Sequence, residues 1–411
     1  MTNYFNYSEA ELLKLNAVHT AKEIEQQKNI WKILFQNIVG NNELISFLTP
    51  ILNDNNHQII LTGAGSSAFL GQALAPLIKN ETQRDIVAIS TTDIVAGPTH
   101  YLSIDKPTLL VSFGRSGNSP ESVAAIKLAD QVCHNLHHLI IVCNPESELA
   151  NYAKSNNKAQ LVVMPEGTND QSFAMTSSFS SMMLCAGLLL SNKLIKGGII
   201  CDASKNLVAQ QLVNLSAALD SINMLTIKKL AASKFKRYVV LGANGYKGLA
   251  EEAALKLLEL TAGQVATRHD SALGLRHGPK FMVDNETLIL QFISNNAYAR
   301  RYDLDLMHEL KSNNIAANHI VLTSSQIANN EVLDVINQLP EDSKGRLYRN
   351  EEVFQVADLS CDFFGLWAYL YFAQVFALET SLALGNTPDN PCPTGEVNRV
   401  VKGVVIYPYS E

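Results

Sequence analysis

A repeated strand-turn-helix unit constrains this chain more than any other feature of its sequence. The apolar run Ile59 to Leu61 precedes a Gly-Ala-Gly turn and a helix-like stretch, and Tyr238 to Leu241 precedes a Gly-Ala-Asn turn and a second such stretch. The next strongly apolar run begins 45 residues after the first glycine of the turn in both copies, at Thr108 and at Thr287. Equal spacing indicates an internal duplication, and the alternation of strands with helices predicts a parallel sheet in each half.

Length and composition allow two domains of ordinary size. At 411 residues the chain exceeds the size at which a single hydrophobic core usually stops growing, and 47% of its residues are hydrophobic. We therefore expect an α/β fold in four sections: a helical lead-in at 1–45, a first domain at 46–215, a second domain at 216–385 and a C-terminal tail at 386–411. Further predicted elements are strands at Ile86 to Ser90, Leu139 to Cys143, Gln160 to Met164 and His319 to Thr323, and a helical connector at Ala203 to Leu230.

Charge, cysteines and apolar runs argue against several classes of protein. A formal net charge of -7 disfavours a broad grip on nucleic acid, which needs a basic surface. The six cysteines show no C-x-x-C or zinc-like spacing, so we expect no metal site. The run Phe363 to Ala373 is too short to span a bilayer, and its all-round hydrophobicity predicts a buried helix. The N-terminus lacks a signal-peptide pattern, and a cytoplasmic location is expected.

The first glycine turn matches a nucleotide-binding pattern only formally. Gly63 to Ala68 satisfies G-x-G-x-x-[GA] between a strand and a helix. The dinucleotide fingerprint also needs an acidic residue at the end of the next strand to hold a ribose, whereas Asp85 opens that strand. The turn places Ser66 and Ser67 at a helix N-terminus. We predict no cofactor, with a dinucleotide site as the alternative.

A second loop, rich in serine, follows the next strand as Gly114-Arg115-Ser116-Gly117-Asn118-Ser119-Pro120. Glycines let backbone N–H groups turn inward, and serine hydroxyls add donors at a helix N-terminus, where the dipole favours an anion. No G-K-[ST] follows, so the pattern is typical of a cradle for a small phosphate ester rather than a Walker loop. Serines that only cap the helix are the alternative. Two such loops at the carboxyl ends of neighbouring parallel strands favour one ligand crevice.

Three charged side chains recur on one face of the helix predicted in the second half. Glu252, Lys256 and Glu259 are spaced i, i+4 and i+7. One interpretation is a solvated helix surface with an ion pair. The other is an acid–base site, because a carboxylate partly removed from water can take a proton from one sugar carbon and return it to the next.

These motifs resemble those of a known family. Gly65-Ser66-Ser67, the serine loop and the segment Glu252 to Pro279 are similar to the SIS domains in the isomerase half of glucosamine-6-phosphate synthase. Over nearly its whole length the chain resembles the AgaS family, described as tagatose-6-phosphate ketose/aldose isomerase or galactosamine-6-phosphate deaminase. Arg276-His277-Gly278-Pro279-Lys280 is one of the more specific marks. The resemblance implies two tandem SIS domains, each a flavodoxin-like parallel sheet with helices on both faces.

The resemblance also implies which residues bind the substrate. They belong to the two loops and to the segments near them: Ser66, Ser67, Arg115, Ser116, Asn118, Ser119, Thr176, Ser177 and Glu252. One position departs from the synthase, which has a serine where this chain has Gly114. The phosphate contacts are therefore expected to differ in detail.

Three catalytic residues follow from the same resemblance. Glu259 corresponds to the glutamate that transfers the proton, and His277 to the ring-opening histidine that this family lends across a dimer interface, although the spacing between them is longer than in the synthase. Lys402 matches a tail lysine that would stabilise an oxyanion, in an irregular arm that completes the active site before a short strand. Without the resemblance, a turn residue and a solvated lysine are the simpler interpretations of His277 and Lys402.

The reaction expected from the resemblance is deaminating isomerisation of D-galactosamine 6-phosphate to D-tagatose 6-phosphate and ammonia. The expected partner is a small phosphorylated sugar, with no nucleic acid and no membrane, in a homodimer or higher homo-oligomer that shares His277 across the interface. Non-deaminating aldose/ketose isomerisation and a non-catalytic sugar-phosphate sensor are the alternatives, because the amine belongs to the substrate and many SIS modules only report a ligand. A full synthase is not expected, since its glutaminase half needs an N-terminal cysteine and the first cysteine here is Cys133.

Overall fold

The computed structural model describes residues 3–339, 352–359, 361–401 and 403–410. The strands are β1 (Asn3–Tyr4), β2 (Tyr7–Ser8), β3 (Gln58–Thr62), β4 (Ile86–Ala88), β5 (Thr108–Gly114), β6 (Leu136–Val142), β7 (Ala159–Val163), β8 (Ile195–Lys196), β9 (Ile199–Ile200), β10 (Arg237–Leu241), β11 (Ala266–Asp270), β12 (Thr287–Phe292), β13 (Asn318–Thr323) and β14 (Val353–Gln355). The helices are α1 (Glu9–Lys14), α2 (Val18–Val39), α3 (Asn42–Asn53), α4 (Ser66–Thr82), α5 (Thr91–Ala96), α6 (Pro98–Tyr101), α7 (Pro120–Val132), α8 (Glu148–Ser155), α9 (Ser177–Leu190), α10 (Asp202–Asp220), α11 (Met224–Ala231), α12 (Gly245–Leu260), α13 (Ala272–Leu275), α14 (Ala297–Asn313), α15 (Gln326–Gln338) and α16 (Asp362–Ala383), with a 3-10 turn at Pro279–Met282.

Two parallel sheets of five strands have the same strand order. The first runs β4-β3-β5-β6-β7 and the second β11-β10-β12-β13-β14. The register is also repeated, since Thr62 lies opposite Ser112 in the first sheet and Leu241 opposite Gln291 in the second. This is the flavodoxin-like order. The predicted α/β fold of two tandem domains is confirmed.

The chain divides into two compact units. The first unit contains residues 25–212 and 394–411, and the second contains residues 1–24 and 213–393. The predicted lead-in is thus divided between the units at residue 24, and the tail from Thr394 belongs to the first unit.

The two glycine turns share one backbone conformation. Gly65, which precedes α4, has φ 55° and ψ -129°, and Asn244, which precedes α12, has φ 52° and ψ -123°. A Cβ atom on Gly63 would lie 2.5 Å from the Cβ of Ser67, and one on Gly242 would lie 2.4 Å from the carbonyl oxygen of Tyr246. The helix therefore approaches each strand so closely that only glycine fits, and this equivalence supports the internal duplication.

Buried apolar surface organises both units. Every residue of β5 and of β12 is buried, as expected for central strands of a parallel sheet covered on both faces. The helix predicted from the apolar run after residue 362 is α16, and it is buried along most of its length. In the part of the chain that the structure describes, no helix is both long and apolar enough to cross a bilayer.

The prediction of a short strand in the tail is wrong. Residues 394–401 and 403–410 contain no strand. Val401, Val405 and Tyr407 are each more than half exposed, so their β-branched and aromatic side chains have no sheet surface to pack on. Residues with high β-propensity do not form a strand where no neighbouring strand is available for pairing.

Candidate active site

The carboxyl ends of β3 and β5 define the ligand-facing edge of the first unit. The two strands are hydrogen-bonded neighbours, yet the chain passes through β4, on the far side of β3, before it returns as β5. The strand order therefore reverses between β3 and β5, which is the switch point where open α/β sheets bind ligands. The glycine turn and the serine loop both begin at this point.

The glycine turn presents two serines at the start of α4. Ser66 and Ser67 are the first two residues of the helix, and both are buried. The hydroxyl of Ser67 lies 4.0 Å from the sulfur of Met175. Ser67 N and Ala68 N donate to the carbonyls of Ala64 and Gly65, and the positive end of the helix dipole at this turn favours an anion.

The serine loop is held tightly against the start of α8. Gly117 has φ +63°, and a Cβ atom there would lie 2.4 Å from the Oγ of Ser147. The same Oγ accepts a hydrogen bond from Ala150 N at 3.2 Å and so caps α8. Only glycine can combine this conformation with this contact, which fixes the path of the loop.

The polar side chains of the serine loop make local hydrogen bonds. Ser119 caps α7, because its Oγ accepts from Ser122 N at 3.3 Å and donates to Ser122 Oγ at 2.8 Å. The Oγ of Ser116 accepts from Asn118 N at 3.3 Å, and Asn118 Oδ1 accepts from Glu148 N at 2.8 Å. The structure thus brings Ser116, Asn118 and Ser119 together, and their binding of phosphate stays a prediction.

Arg115 joins three chain segments of the first unit. Its guanidinium donates to the carbonyl of Phe173 at 3.0 Å and to the carbonyl of Arg399 at 2.8 Å. Arg399 in turn donates to the carbonyl of Asp170. Arg115 is buried, and these carbonyls accept two of its five guanidinium N–H donors. A direct contact between Arg115 and phosphate stays a prediction.

A buried carboxylate organises the start of α9. Asp170 accepts hydrogen bonds from the backbone N–H groups of Thr176, Ser177 and Ser178 at 2.8, 3.2 and 2.9 Å. Their hydroxyls donate to the same carboxylate at 3.4, 2.6 and 2.5 Å. Thr176 and Ser177 are fully buried, and Ser177 Oγ also accepts from Gln26 at 2.9 Å. Asp170 thus engages these donors, and contact of Thr176 and Ser177 with substrate stays a prediction.

The three charged residues of α12 form one ion-paired group. Lys256 Nζ lies 2.5 Å from Glu259 Oε2 and 3.4 Å from Glu252 Oε1. The side chains of Glu252 and Lys256 are 0% and 1% exposed, whereas that of Glu259 is 22% exposed. The helix surface interpretation therefore does not apply to Glu252 and Lys256. Glu259 is the member of the group that a solvent-borne molecule can reach.

The segment around His277 is held in place by ion pairs of the charged residues on either side of the histidine. Arg276 pairs with Glu309 at 2.7 Å and with Asp305 at 2.9 Å, and Lys280 also pairs with Glu309. Lys280 and then Arg276 hold the pKa of Glu309 below its usual range. His277 is exposed between them, and within the described part of the chain its ring has no hydrogen-bond partner. The segment is therefore fixed while the imidazole is left accessible.

Lys402 lies outside the described residues. The tail around it belongs to the first unit. Gln131 of α7 donates to the carbonyl of Tyr409 at 3.1 Å, and the side chain of Tyr409 packs against the core beside the first sheet. The described tail is thus attached to the first unit both at Arg399 and near its end.

The residues give little basis for a metal or a dinucleotide. Within residues 3–339, 352–359, 361–401 and 403–410, no group of three or more histidine, cysteine, aspartate or glutamate side chains is arranged to bind a metal ion. Asp85, the acidic residue nearest to β4, accepts from Lys106 and from Gln58 at 3.3 Å at the opposite end of the strand from the switch point. It therefore does not lie where the fingerprint requires a ribose ligand.

Sequence reasoning missed two residues that organise the site. One local signal in the sequence points to Asp170, a carboxylate six residues before three consecutive hydroxyl residues. Lys256 was identified on the helix face but was not assigned a function. Its position between two carboxylates makes it the residue that sets the local charge around Glu259.

Comparison with known proteins gives matches over nearly the whole chain. The SIS domain family matches residues 51–192. D-galactosamine-6-phosphate deaminase AgaS from Shewanella sp. (strain ANA-3) is 38% identical over 98% of this chain and 95% of its own length. The protein of the same name from Escherichia coli O157:H7 is 40% identical over 95% of this chain and 96% of its own. The crystal structure of tagatose-6-phosphate ketose/aldose isomerase from Escherichia coli covers 100% of both chains, with 36% identity and a TM-score of 0.82.

Proposed function

Because the chain belongs to the AgaS family of SIS-domain proteins, we propose that it converts D-galactosamine 6-phosphate and water into D-tagatose 6-phosphate and ammonia. The two relatives are named for this activity, and this chain matches each of them over nearly its full length. The single observation that supports catalysis most directly is Glu259, a partly exposed carboxylate hydrogen-bonded to a buried lysine. A sensor that only binds its ligand has no need of such a group.

The serine loop and the glycine turn bind the phosphate in this proposal. Ser116, Asn118 and Ser119 follow β5, and Ser66 and Ser67 follow β3, on the two sides of the switch point. Hydroxyls and helix N-terminal N–H groups suit a phosphate dianion, because both donate hydrogen bonds and the helix dipole favours negative charge. Gly117 supports this assignment, since the loop takes a path that only glycine allows.

Glu259 carries the proton between two sugar carbons. In the open-chain amino aldose it removes the proton from C2 while the C1 carbonyl oxygen takes up a proton from water, which gives an enolamine. It then returns the proton to C1 as the amine nitrogen loses a proton to water. The product is a 2-ketimine with a C1 hydroxymethyl group. Water then adds to C2, and ammonia leaves as the ketose carbonyl forms. If C2 bears a hydroxyl group, the same proton shift passes through an enediol and gives a ketose without loss of ammonia.

Lys256 and Glu252 set the environment of Glu259. Lys256 lies between the two carboxylates, with its Nζ 2.5 Å from Glu259 and 3.4 Å from Glu252. Glu252 is fully buried on the far side of Lys256, and we assign it the role of holding the ammonium group rather than touching the sugar. Lys256 then restricts the rotamers of Glu259 and orients its free oxygen.

His277 opens the sugar ring from a second copy of the chain. Its ring is exposed, and the ion pairs of Arg276 and Lys280 with Glu309 fix the segment that carries it. Phe281, four residues later, is 94% exposed. A large aromatic side chain beside an exposed functional residue is typical of a surface that a partner covers. We therefore propose a homodimer or a higher homo-oligomer in the cytoplasm, where free thiols persist.

Mixing two inactive variants tests the shared histidine. Dimers of E259Q and dimers of H277A each lack one residue in both of their sites. After subunit exchange, a mixed dimer regains one complete site, so about a quarter of wild-type activity is expected at equal mixing in a two-fold symmetric dimer. Native mass spectrometry confirms the exchange. Mixed dimers without activity would show that His277 acts within its own chain, and full activity of H277A alone would show that it has no role.

Product analysis tests the reaction itself. The purified protein is incubated with galactosamine 6-phosphate, with glucosamine 6-phosphate and with galactose 6-phosphate, and ammonia and ketose phosphate are measured separately. The proposal expects equal amounts of ammonia and tagatose 6-phosphate from the first sugar and much slower turnover of the gluco isomer. Glucosamine has the opposite configuration at C4, so the comparison isolates recognition of that hydroxyl.

The other outcomes of that experiment identify the alternatives. Ketose phosphate from galactose 6-phosphate, without ammonia from the amino sugar, would establish the plain isomerase that the name of the Escherichia coli structure describes. Calorimetric binding of a sugar phosphate without any turnover would establish a sensor. Either result would replace the deaminase proposal.

A further inference from the structure

The second unit contains a counterpart of the phosphate crevice that its own side chains fill. β10 and β12 repeat the positions of β3 and β5, and the turn before α12 repeats the turn before α4. Tyr246 occupies the position that Ser67 occupies in the first unit, and its ring is buried. It lies 4.8 Å from the ring of Tyr369 and 6.2 Å from that of Phe292. Aromatic rings therefore take up the space above the second switch point.

A carboxylate occupies the loop that corresponds to the serine loop. The loop after β12 contains Ser294 and Asn295, and both donate to Asp362. Ser294 Oγ lies 2.5 Å from Asp362 Oδ2, and Asn295 N lies 2.5 Å from Asp362 Oδ1. A hydroxyl and a backbone N–H group are the donors that the first unit offers to a phosphate. In the second unit they hold an anion that belongs to the chain.

The loop that binds Asp362 is fixed by further hydrogen bonds. Ser294 N donates to Asp303 at 3.1 Å, and Arg300 donates to the carbonyls of Ser294 and Asn295 at 3.2 and 2.8 Å. Arg300 is itself paired with Glu331 through two hydrogen bonds of 2.9 Å. Burial raises the pKa of Asp303 to about 7, with the nearby Asp362 carboxylate adding to the rise and Ser294 N opposing it. The loop that binds Asp362 is thus held in place by a network of hydrogen bonds and an ion pair.

Asp362 is the first residue of α16, and α16 contacts α12 at both ends. Near the start of α12, the ring of Tyr246 packs on Tyr369, whose hydroxyl donates to the carbonyl of Ile293 at 2.7 Å. At the end of α12, Ser381 Oγ donates to the carbonyl of Leu260 at 2.5 Å. Leu260 follows Glu259 directly. The position of α16 therefore determines where α12 presents its carboxylate.

We infer that Asp362 is a positioning residue: its carboxylate fills the crevice of the second unit that corresponds to the phosphate crevice of the first, and in doing so it anchors α16 and sets the position of Glu259 on α12. Each chain accordingly binds one sugar phosphate. The catalytic consequence of this inference rests on the proposed function. Its structural consequence, the anchoring of α12, does not.

Replacement of Asp362 by alanine, with added formate, tests the inference. The residue is half-buried, so solvent anions can reach the space that the lost carboxylate leaves, and formate matches that group in size and charge. We expect D362A to lower kcat by about 10- to 100-fold, because a displacement of about 1 Å at the reacting group costs up to about 100-fold. KM should change by less than about threefold, since the serine loop is untouched. Formate should restore kcat, and chloride should not.

The matched control is D358N, measured in the same assays. Asp358 also accepts a backbone hydrogen bond at a helix start, from Gln326 N of α15 at 3.0 Å, but it has no part in the start of α16. We expect its kcat to equal that of the wild type. Should D362A not fold, D362N, which keeps an acceptor oxygen but no charge, is measured in its place.

Hydrogen exchange separates this inference from the proposed function, because it needs no substrate. In D362A the amides of α12 and α16 should exchange faster, formate should slow them again, and the first sheet should be unchanged. A wild-type protein without deaminase activity would end the proposed function but leave this readout valid. Unchanged exchange in α12, or a kcat loss that formate does not reverse, would overturn the inference.

Discussion

Replacement of Glu259 by glutamine is expected to lower kcat for ammonia release by about 10²- to 10⁴-fold, the usual contribution of a positioned proton carrier. Glutamine preserves the size of the side chain but cannot take up and return a proton. Lys256 stays paired with Glu252 at 3.4 Å, so the variant leaves no buried charge without a partner and should fold. Steady-state measurement of ammonia with galactosamine 6-phosphate gives kcat and KM, and KM should change little.

The matched control for this variant is E251Q. Glu251 lies on the same helix and is exposed to nearly the same degree as Glu259, 26% against 22%, but it pairs with His269 at 3.7 Å, outside the Lys256 group. The same substitution there should change kcat by no more than about twofold, because Glu251 has no part in that group. A folded E259Q protein with full activity would remove Glu259 from the mechanism. Equal losses in both variants would indicate disruption of α12 in general.

The duplicated fold could be predicted from the sequence because its signals are local and occur twice. Central strands of parallel sheets are continuous apolar runs, and both β5 and β12 are buried at every residue. Each half also places a glycine where the following helix approaches the strand, at Gly63 and at Gly242. Two copies of the same local pattern at the same spacing leave few alternatives for the topology.

Elements that depend on a tertiary partner were not predicted. β11, at the edge of the second sheet, has no fully buried residue, and its sequence Ala-Thr-Arg-His-Asp shows no apolar pattern. It forms because β10 offers a parallel edge. The connector predicted as helical consists of two helices, α10, which ends at Asp220, and α11, which Asn223 caps by accepting from Thr226 N. A single capping residue within an amphipathic stretch is a weak signal in sequence alone.

For the site, the sequence indicated which side chains carry useful functional groups better than it indicated which groups those side chains hydrogen-bond with. Glu252, Lys256 and Glu259 meet as expected, because helix geometry alone brings them together. Arg115 and Thr176 were predicted to bind substrate from the resemblance to the SIS-domain family. The structure gives them acceptors within the chain, the carbonyl of Phe173 for Arg115 and the carboxylate of Asp170 for Thr176. Which acceptor a donor meets depends on the tertiary fold.

Replacement of Gly117 by alanine is expected to lower kcat/KM for galactosamine 6-phosphate by about 100-fold or more, chiefly through KM. The added Cβ would lie 2.4 Å from Ser147 Oγ and 2.6 Å from Ser147 Cβ, so the serine loop has to move. Ser147 cannot yield freely, because it caps α8 through Ala150 N. Calorimetry should show a loss of affinity for the sugar phosphate that matches the rise in KM.

The matched control is G197A in the turn between β8 and β9 of the same unit. Gly197 has φ +60°, nearly the +63° of Gly117, but a Cβ atom there has no other atom within 4 Å. Both variants therefore carry the same left-handed strain, about 1–2 kcal/mol, and only G117A carries the clash. G197A should bind the sugar phosphate like the wild type. A folded G117A protein with unchanged affinity would show that the phosphate is bound elsewhere than at the serine loop.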